Sequence, residues 1–437
     1  MTSRRQQVDD VRSARRDAVS AAGVAASPKP ADRLVYYFGV GGIRMVSAGL
    51  DRVTRLHWEE ISESGVAVEG FVVDPSAQEV EISPRSGAAV LRIYPSEASA
   101  AHSGGGSSLL AKARALMQPQ ALHVGFSLLS RRAKRDAIEL SRQRPPGLIV
   151  IDHIYAGQNV PLLWVLFKRR PIIFVSHDNT PELLLDLRKD ATSLSRKLIS
   201  YLDFLKALAL ERLYLARADE VVFLSDYDQQ AYGRHVQKSK ALLPLDAEGP
   251  KAITGKTGFR EAGGVHDIVF VGSPSFMPNA HAIRWICEKL SPALWRASPE
   301  CRIVLIGKGT EALKGDSPNV FGEGFVDDDR LEDLLQNSLA LLAPIEHGSG
   351  LKIKILDALA AGVPVIATQR ALRGFGAFDT HMVIETADPD AAAAAITRLA
   401  GSVEKQISLR RRIVDQVSRY RSERAGQFAA IVKRLLG

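Results

Sequence analysis

Short apolar runs alternate with longer helical patterns along the first half of the chain. A short apolar run between turn signals is typical of a strand that is buried on both faces. Segments such as Leu194–Arg217 have the period of a helix. Strands and helices that alternate in this way predict an α/β fold with a parallel, doubly wound sheet. The strand candidates are Leu34–Phe38, Leu148–Ile151, Ile172–Val175 and Glu220–Leu224.

The same alternation starts again after residues 244–264, a stretch rich in Gly, Lys and Pro. Since 437 residues exceed one ordinary hydrophobic core, two Rossmann-like domains are predicted. The second set of strand candidates is Asp267–Val271, Arg302–Ile306, Ser338–Ala343 and Val363–Ala367, and Ser402–Leu436 has a helical period. The predicted divisions are a flexible leader 1–32, an N-terminal domain 33–245, a linker 246–265 and a C-terminal domain 266–437, whose last helix can pack back on the N-terminal domain.

Charge and composition exclude only a few classes of function. A net charge of +8 suits phosphates, anionic lipid or nucleic acid as partners. Because the chain has no zinc-ligand spacing and no aromatic-basic signature, a nucleic-acid partner is not expected. Two cysteines cannot form a disulfide framework, and no apolar stretch approaches the ~20 residues of a membrane span. These features predict a cytoplasmic protein.

Residues 344–366 are the most informative stretch of the sequence. A predicted strand leads into Gly348-Ser349-Gly350, and a helix follows from Leu351 and Lys352 onward. Backbone N–H groups of such a loop, together with the free N–H groups of the helix, converge on an anion. Lys352 and Lys354 add two cations that the helix dipole alone would disfavour. This pattern predicts a site for a diphosphate leaving group.

Asp357 follows about one turn further along the same predicted helix. A carboxylate at this position can accept hydrogen bonds from the hydroxyls of a ribose. The plainer alternative is a helix with an early acid and two solvated lysines, and the residues alone leave it open.

The whole run resembles the nucleotide-binding segment of family-4 (group 1) glycosyltransferases, in the subgroup that carries Gly-Ser-Gly. Other stretches resemble the same family in the same order, and the resemblance extends over residues 34–437. It implies the GT-B fold, in which two Rossmann-like domains face each other across a cleft. The other matching stretches are Ser176–Asp178, Asp219–Ser225 with Asp228, Val269–Ser273, Val304–Gly309 and Gly324–Asp327.

This resemblance also implies an activity and a set of roles. The protein would move a sugar from a nucleotide-sugar, with UDP or GDP as the expected nucleotide, to a glycan or lipid-linked acceptor. The reaction would retain the anomeric configuration and need neither a metal nor another cofactor. His177 and Lys354 are the implied catalytic residues. The implied nucleotide-sugar-binding residues are Gly41, Gly42, Gly272, Gly307, Phe325, Val326, Gly348, Ser349, Gly350, Leu351, Lys352 and Asp357.

Two departures from the family pattern concern the charges around the donor. Many members carry two glutamates eight positions apart, and here the corresponding residues are Ser349 and Asp357. Glu346 is a candidate replacement for the missing first acid. Relatives often have an Arg and a Lys after the strand that ends at Gly272, where this chain has residues 273–276, Ser-Pro-Ser-Phe. Lys352 and Lys354 would then supply most of the positive charge.

Other interpretations stay open beside the transferase. An epimerase-like enzyme of the same fold would release free nucleotide without an acceptor, and a non-catalytic nucleotide-sugar-binding scaffold would release none. A dehydrogenase is disfavoured because residues 39–42 do not fit Gly-x-Gly-x-x-Gly. The basic groups Arg131–Arg135 and Lys168–Arg170 predict peripheral contact with an anionic membrane surface. The alternative is that they are solvated helix ends.

Overall fold

The structure is a computed structural model that describes most of the chain. The described residues are 34–41, 49–74, 80–82, 89–95, 129–167, 170–191, 193–232, 236, 238–245, 264–313, 318–348, 350–379 and 381–437. The predicted leader 1–32 and most of the predicted linker 246–265 lie outside these residues, so the exact domain boundaries stay a prediction.

The first sheet has eight strands in the order β3-β4-β2-β1-β5-β6-β7-β8. Each neighbouring pair is parallel except β3 with β4. The strands are β1 (Leu34–Val40), β2 (Ala67–Val73), β3 (Val80–Ile82), β4 (Ala89–Tyr94), β5 (Leu148–Asp152), β6 (Ile172–Ser176), β7 (Glu220–Phe223) and β8 (Ser239–Ala241). Strands β1, β5 and β6 are buried along their whole length, as expected when helices cover both faces of a parallel sheet.

Helices cover the two faces of the first sheet and form two separate cores. One core includes side chains from α2, α4 and α6, and the other includes side chains from α1. The helices of this part are α1 (Gly49–Glu63), α2 (Arg131–Gln143), α3 (Ile154–Gly157), α4 (Val160–Phe167), α5 (Thr180–Asp190), α6 (Leu194–Arg217) and α7 (Asp226–Tyr232).

The second sheet has six parallel strands in the order β11-β10-β9-β12-β13-β14. Its strands are β9 (His266–Val271), β10 (Cys301–Ile306), β11 (Val320–Gly324), β12 (Ala340–Ala343), β13 (Val365–Thr368) and β14 (His381–Ile384). The helices are α8 (Met277–Trp285), α9 (Ser291–Ala297), α10 (Asp328–Gln336), α11 (Ile353–Ala360), α12 (Pro389–Ala400), α13 (Val403–Arg424) and α14 (Gln427–Leu436). The predicted α/β fold with two parallel doubly wound sheets is confirmed.

Helix α14 lies in the core of the first domain although it follows the second one in sequence. Phe428 and Val432 are fully buried in the same cluster as β1 and α1. Glu60 of α1 accepts hydrogen bonds from the N–H groups of Phe428 and Ala429, at 3.0 and 3.3 Å. A carboxylate at this position satisfies free N–H groups and complements the dipole at the start of α14.

Several elements differ from the predictions. The helix predicted over Ala280–Leu290 is longer, because α8 and α9 are joined through a π-helical segment, Ile286–Leu290. The helix predicted over Ser402–Leu436 is divided into α13 and α14 at Gly426, which has a φ of 73°. Strands β3 and β4 were not predicted, because residues 76–122 lack clear periodicity.

Candidate active site between the two sheets

The carboxyl ends of both sheets meet between the two domains. In a parallel doubly wound sheet, ligands bind outside the carboxyl ends at the strand where the winding direction changes. That strand is β1 in the first sheet and β9 in the second, since each has its successive neighbours on opposite sides. Gly41 follows β1 and Gly272 follows β9, so both predicted residues stand at these positions.

A buried carboxylate organises the first-domain side. Asp152, at the end of β5, is fully buried and accepts hydrogen bonds from the Tyr37 hydroxyl and, at 3.1 Å, from His57 Nδ1. Its other oxygen bonds His177 Nε2. We call Tyr37, His57, Asp152 and His177 the Asp152 cluster. Because His177 uses Nε2 for Asp152, only its Nδ1 is left for a ligand.

The charges of this cluster follow from its burial. Burial alone would raise the pKa of Asp152, but the neighbouring His177 and His57 hold it well below its usual value. Burial, and then the charge of Asp152, raise the pKa of Tyr37 well above its usual value. Asp152 is therefore an anion and Tyr37 a neutral donor. Among the described residues, His57, Asp152 and His177 form the group that could hold a metal ion, because their ligand atoms lie within 4.8 Å of one another.

His153 stands beside the cluster in a rare backbone conformation. Its φ is 78°, and it alone has a positive φ among the described non-glycine residues. Such conformations are costly and concentrate at functional sites. Its Nδ1 accepts the N–H of Tyr155 at 3.0 Å, and its ring centroid lies 4.8 Å from that of His177. Burial, and then the charge of His177, lower the pKa of His153, so it is a neutral imidazole with its proton on Nε2.

Helix α14 packs against the Asp152 cluster. The Phe428 ring stacks on His57 with centroids 4.4 Å apart. His57 Nε2 is buried and has no hydrogen-bond partner among the described residues. The ring of Phe428 therefore fixes the orientation of His57 through packing, while Asp152 fixes it through a hydrogen bond.

The predicted glycine loop, residues 344–352, lies against the first domain. Gly350 has a φ of 75°, and an added Cβ would lie 2.6 Å from Asp178 Cβ. Both the backbone conformation and this close contact therefore exclude a side chain at position 350. The N–H of Gly348 donates to Asp186 Oδ2 at 3.2 Å. Leu351 contacts cores of both domains. Ser349 lies outside the described residues.

Lys352 belongs to a charged contact between the domains. Its Nζ donates to the carbonyl of Gly350 at 2.8 Å, and burial, opposed by Asp178, lowers its pKa to about 8. Arg370 bonds Asp186 and Glu182 at 2.8 and 3.2 Å, and Arg373 bonds Glu182 at 3.3 Å. Much of the positive charge near the loop is thus matched by first-domain carboxylates in this state.

Lys354 lies on the first turn of α11 with its ammonium directed towards β9. Its Nζ donates to Asn279 Oδ1 at 2.7 Å and lies 4.4 Å from the centroid of the Phe270 ring. Burial, and then the charge of Lys352, lower the pKa of Lys354 to about 7. The described residues give this cation a neutral amide and an aromatic face as contacts, so it can accept an anion without breaking a salt bridge that the structure describes.

The remaining predicted residues lie at strand ends. Gly307 follows β10 with a φ of 143°, and an added Cβ would lie 2.8 Å from the backbone of Gly272, so the two loops approach as only glycines allow. Gly324 ends β11, and Phe325 after it is 67% exposed. A large exposed aromatic beside a cleft is available to contact a base.

Four further residues were candidates for the donor site in the sequence. Asp357 lies on α11 and Val326 follows Phe325, both partly buried. Glu346 is exposed and accepts a hydrogen bond from Thr386 at 3.0 Å. Gly42 lies outside the described residues.

Sequence reasoning missed Tyr37, His57, Asp152, His153 and Phe428. The sequence held one local indication of these residues, the polar pair Asp152-His153 directly after a predicted apolar strand. Side chains at the carboxyl end of a parallel strand lie at the edge of the sheet where ligands bind. The other contacts join residues far apart in sequence and had no local signature.

Comparison with known proteins agrees with this architecture. Residues 265–402 match the sequence model of the family glycosyl transferases group 1. This segment contains all six strands of the second sheet. A search of curated proteins found no sequence match.

Solved structures resemble the chain over nearly its whole length. A sucrose-phosphate synthase from Thermosynechococcus elongatus has 15% identity and a TM-score of 0.64, with 92% of this chain and 98% of that one covered. An α,α-trehalose-phosphate synthase (UDP-forming) from Burkholderia xenovorans, in complex with glucose-6-phosphate, has 12% identity and a TM-score of 0.60, with coverage of 92% and 99%. A trehalose-6-phosphate synthase studied for glycosyltransfer with retention has 14% identity and a TM-score of 0.57, with coverage of 92% and 99%.

These matches define the class of protein. The chain has the two-domain GT-B fold of glycosyltransferases. Residues 265–402 are the segment that matches the family glycosyl transferases group 1. At identities of 12–15% the structural matches establish the fold and not a substrate.

Proposed function

We propose that the protein is a cytoplasmic glycosyltransferase. It moves a sugar from a nucleotide-diphosphate-sugar to a glycan or lipid-linked acceptor, with retention and without a metal. The observation that carries the proposal is the juxtaposition across the domain contact. The glycine loop and Lys354 stand at the carboxyl edge of a group 1 glycosyltransferase domain, and the Asp152 cluster with His153 stands at the facing edge.

The donor diphosphate would lie at the start of α11. Lys354 and the free N–H groups of the first turn would neutralise the charge that develops on the leaving group. Asp357 would accept hydrogen bonds from the ribose, and residues 324–326 would contact the base. Gly41 and Gly42 would approach the phosphates from the first domain. Gly-Ser-Gly subgroup membership rests on the motif alone.

The sugar would lie between Lys354 and the two histidines at the first-domain edge. His177 has Nδ1 available, and His153 has a proton on Nε2, so each can bond a sugar hydroxyl. No side chain is assigned as a nucleophile. The leaving diphosphate would assist the acceptor hydroxyl on the same face of the sugar, so the residues act by positioning and electrostatics.

A donor screen tests this proposal. Nucleoside diphosphate release is followed for UDP-, GDP- and ADP-sugars, with and without a membrane lipid extract, for the wild type, Lys354→Ala and the exposed control Lys289→Ala. We expect release with one donor that depends on acceptor, disappears in Lys354→Ala and persists in Lys289→Ala. NMR of the product gives the anomeric configuration, and EDTA should leave the rate unchanged.

Two other outcomes would replace the proposal. Acceptor-independent release with an altered free sugar would indicate an epimerase-like enzyme. Tight nucleotide-sugar binding without release from any donor would indicate a non-catalytic binding protein.

A further inference from the structure

Helices α5 and α6 form a hairpin that extends beyond the first sheet. With 24 residues, α6 is about 36 Å long, whereas a five-residue strand such as β6 spans roughly 17 Å. Its buried residues begin only at Asp203. The C-terminal end of α6 lies at the amino edge of the sheet, since the N–H of Asp219 donates to Ile172. Its N-terminal half therefore extends past the carboxyl edge, on the same side as the candidate active site.

The projecting half of α6 exposes an apolar stripe. Four large apolar side chains follow each other at intervals of four, three and four residues, so they lie on one face of the helix. Contiguous exposed apolar side chains of this kind mark an interaction surface. The four residues and their exposed fractions are Leu194 84%, Leu198 58%, Tyr201 39% and Leu205 43%.

Basic side chains surround this stripe. Between residues 194 and 206 the one acid is Asp203, which is buried, so the exposed charge of this segment is entirely positive. Arg188 of α5 lies 4.9 Å from the Tyr201 ring and joins the two helices at the stripe. Such a charge distribution would repel a second copy of the same surface and attract an anionic one. The basic residues are Arg188, Arg196, Lys197 and Lys206, together with Lys189, which is paired with Asp186 of the same helix at 3.1 Å.

A second basic group lies at the same edge of the sheet. Arg131 is the first residue of α2, and Arg132, Lys134 and Arg135 follow in its first turns. Helix α2 leads into β5, so its N-terminus also lies at the carboxyl edge, and it shares the α6 face of the sheet. Cations at a helix N-terminus oppose the dipole. The alternative that these residues are solvated helix ends therefore gains nothing from the dipole of α2, whereas an anionic partner would offset the repulsion.

We propose that the α5–α6 hairpin docks on an anionic lipid bilayer. Leu194, Leu198, Tyr201 and Leu205 enter the interface, and the bases contact lipid phosphates. None of the described helices is long and apolar enough to cross a membrane, so the contact is peripheral. Helix α5 starts at Thr180, three residues after His177. Docking at the hairpin would therefore bring the candidate active site close to the lipid surface, where a lipid-linked acceptor enters; this last step rests on the proposed function.

Vesicle binding tests the proposal without any turnover. The purified full chain is sedimented with phosphatidylcholine vesicles that contain either no anionic lipid or about 30% phosphatidylglycerol. We expect roughly tenfold stronger binding to the anionic vesicles, lost at high salt. Leu194→Glu/Leu198→Glu should lose most of this binding, and Arg196→Gln/Lys197→Gln should lose the preference for anionic lipid. Trp295→Glu/Val383→Glu, which changes exposed apolar residues of the second domain, is the matched control and should bind like the wild type.

Three results would overturn the docking surface. They are equal binding to neutral and anionic vesicles, wild-type binding by Leu194→Glu/Leu198→Glu, and a dimer in light scattering that this variant abolishes. The dimer would assign the stripe to a second copy of the chain. Donor turnover measured on the same preparations keeps the two proposals separate: a vesicle-binding protein without turnover would contradict the transferase alone, and turnover without binding would contradict the hairpin alone.

Discussion

At the scale of single residues, Lys354 connects pH to donor binding. Its pKa is about 7 because burial, and then Lys352, disfavour the ammonium. A bound diphosphate favours the ammonium and raises this pKa, so binding takes up a proton between the two values. We expect donor affinity to fall above pH 7, by at most about tenfold per pH unit.

Calorimetry measures this proton uptake directly. The nucleotide-sugar found in the screen is titrated at several pH values in buffers of different ionisation enthalpy; its diester diphosphate has no group that titrates near neutrality. Lys354→Arg should lose the pH dependence near pH 7, because arginine keeps its charge, while Lys352, with a pKa of about 8, still titrates above it. A flat wild-type profile from pH 6.5 to about 8.5 would contradict the assignment of Lys354 to the diphosphate.

Lys354→Met separates binding from stability. The lowered pKa means that folding disfavours the charged lysine: the penalty is complete below pH 7 and shrinks as pH rises towards the unfolded value. We therefore expect Lys354→Met to be at least as stable as the wild type at pH 6, with the difference declining at higher pH, while donor binding is lost. Thermal unfolding at two pH values measures this. A variant that loses stability more at pH 6 than at pH 9 would contradict it.

Only part of the candidate site was accessible from the sequence. One short segment contains the glycine loop, Lys352, Lys354 and Asp357. The residue types and their spacing in this segment therefore predicted a donor site that includes all of them. Apart from His177, which the family resemblance implied, the Asp152 cluster was not accessible in this way, because its contacts join β1, α1, β5 and the end of β6. Its chemistry depends on a tertiary arrangement that only the sheet order brings about.

At the scale of elements, α14 links the end of the chain to the first-domain site. Phe428→Leu keeps an apolar side chain but removes the ring that stacks on His57. We expect a stability loss of about 1 kcal/mol and, beyond it, a several-fold fall in kcat with donor KM little changed, because His57 and Asp152 then hold His177 less firmly. Phe378→Leu, at a buried position of the second-domain core, is the control. Equal kcat in the two variants would reduce Phe428 to a packing role.

The elements themselves were predictable where local signals agreed. Helix α6 was predicted over Leu194–Arg217, its observed range, because its helical period ends just before the apolar strand β7. The break between α13 and α14 was missed, although Gly426 lies there, because the period continues on both sides of it. Strand β4 forms through its pairing with β2, and that tertiary contact leaves no periodic pattern in residues 76–122.

At the scale of the whole molecule, a small set of ion pairs joins the second domain to α5, beside the apolar contacts of Leu351 and α14. Arg370 and Arg373 of the second domain contact Glu182 and Asp186 of α5, and Asp186 also accepts the N–H of Gly348. Burial alone would raise the pKa of Asp186, but Lys189, Gly348 and Arg370 lower it, so it stays ionised at neutral pH. Because these contacts adjoin the glycine loop, separation of the domains would open the donor site.

Arg370→Gln should therefore shift the chain towards an open arrangement. The variant loses two interdomain ion pairs, so we expect a larger radius of gyration in small-angle X-ray scattering and a donor KM raised about three- to tenfold, with a smaller effect on kcat once donor is saturating. High salt should move the wild type in the same direction. Arg302→Gln, which breaks a pair with Asp267 inside the second domain, is the matched control. If Arg370→Gln keeps the wild-type radius and KM, domain closure depends on apolar contacts such as those of Leu351, and the ion pairs serve only the local geometry of α5.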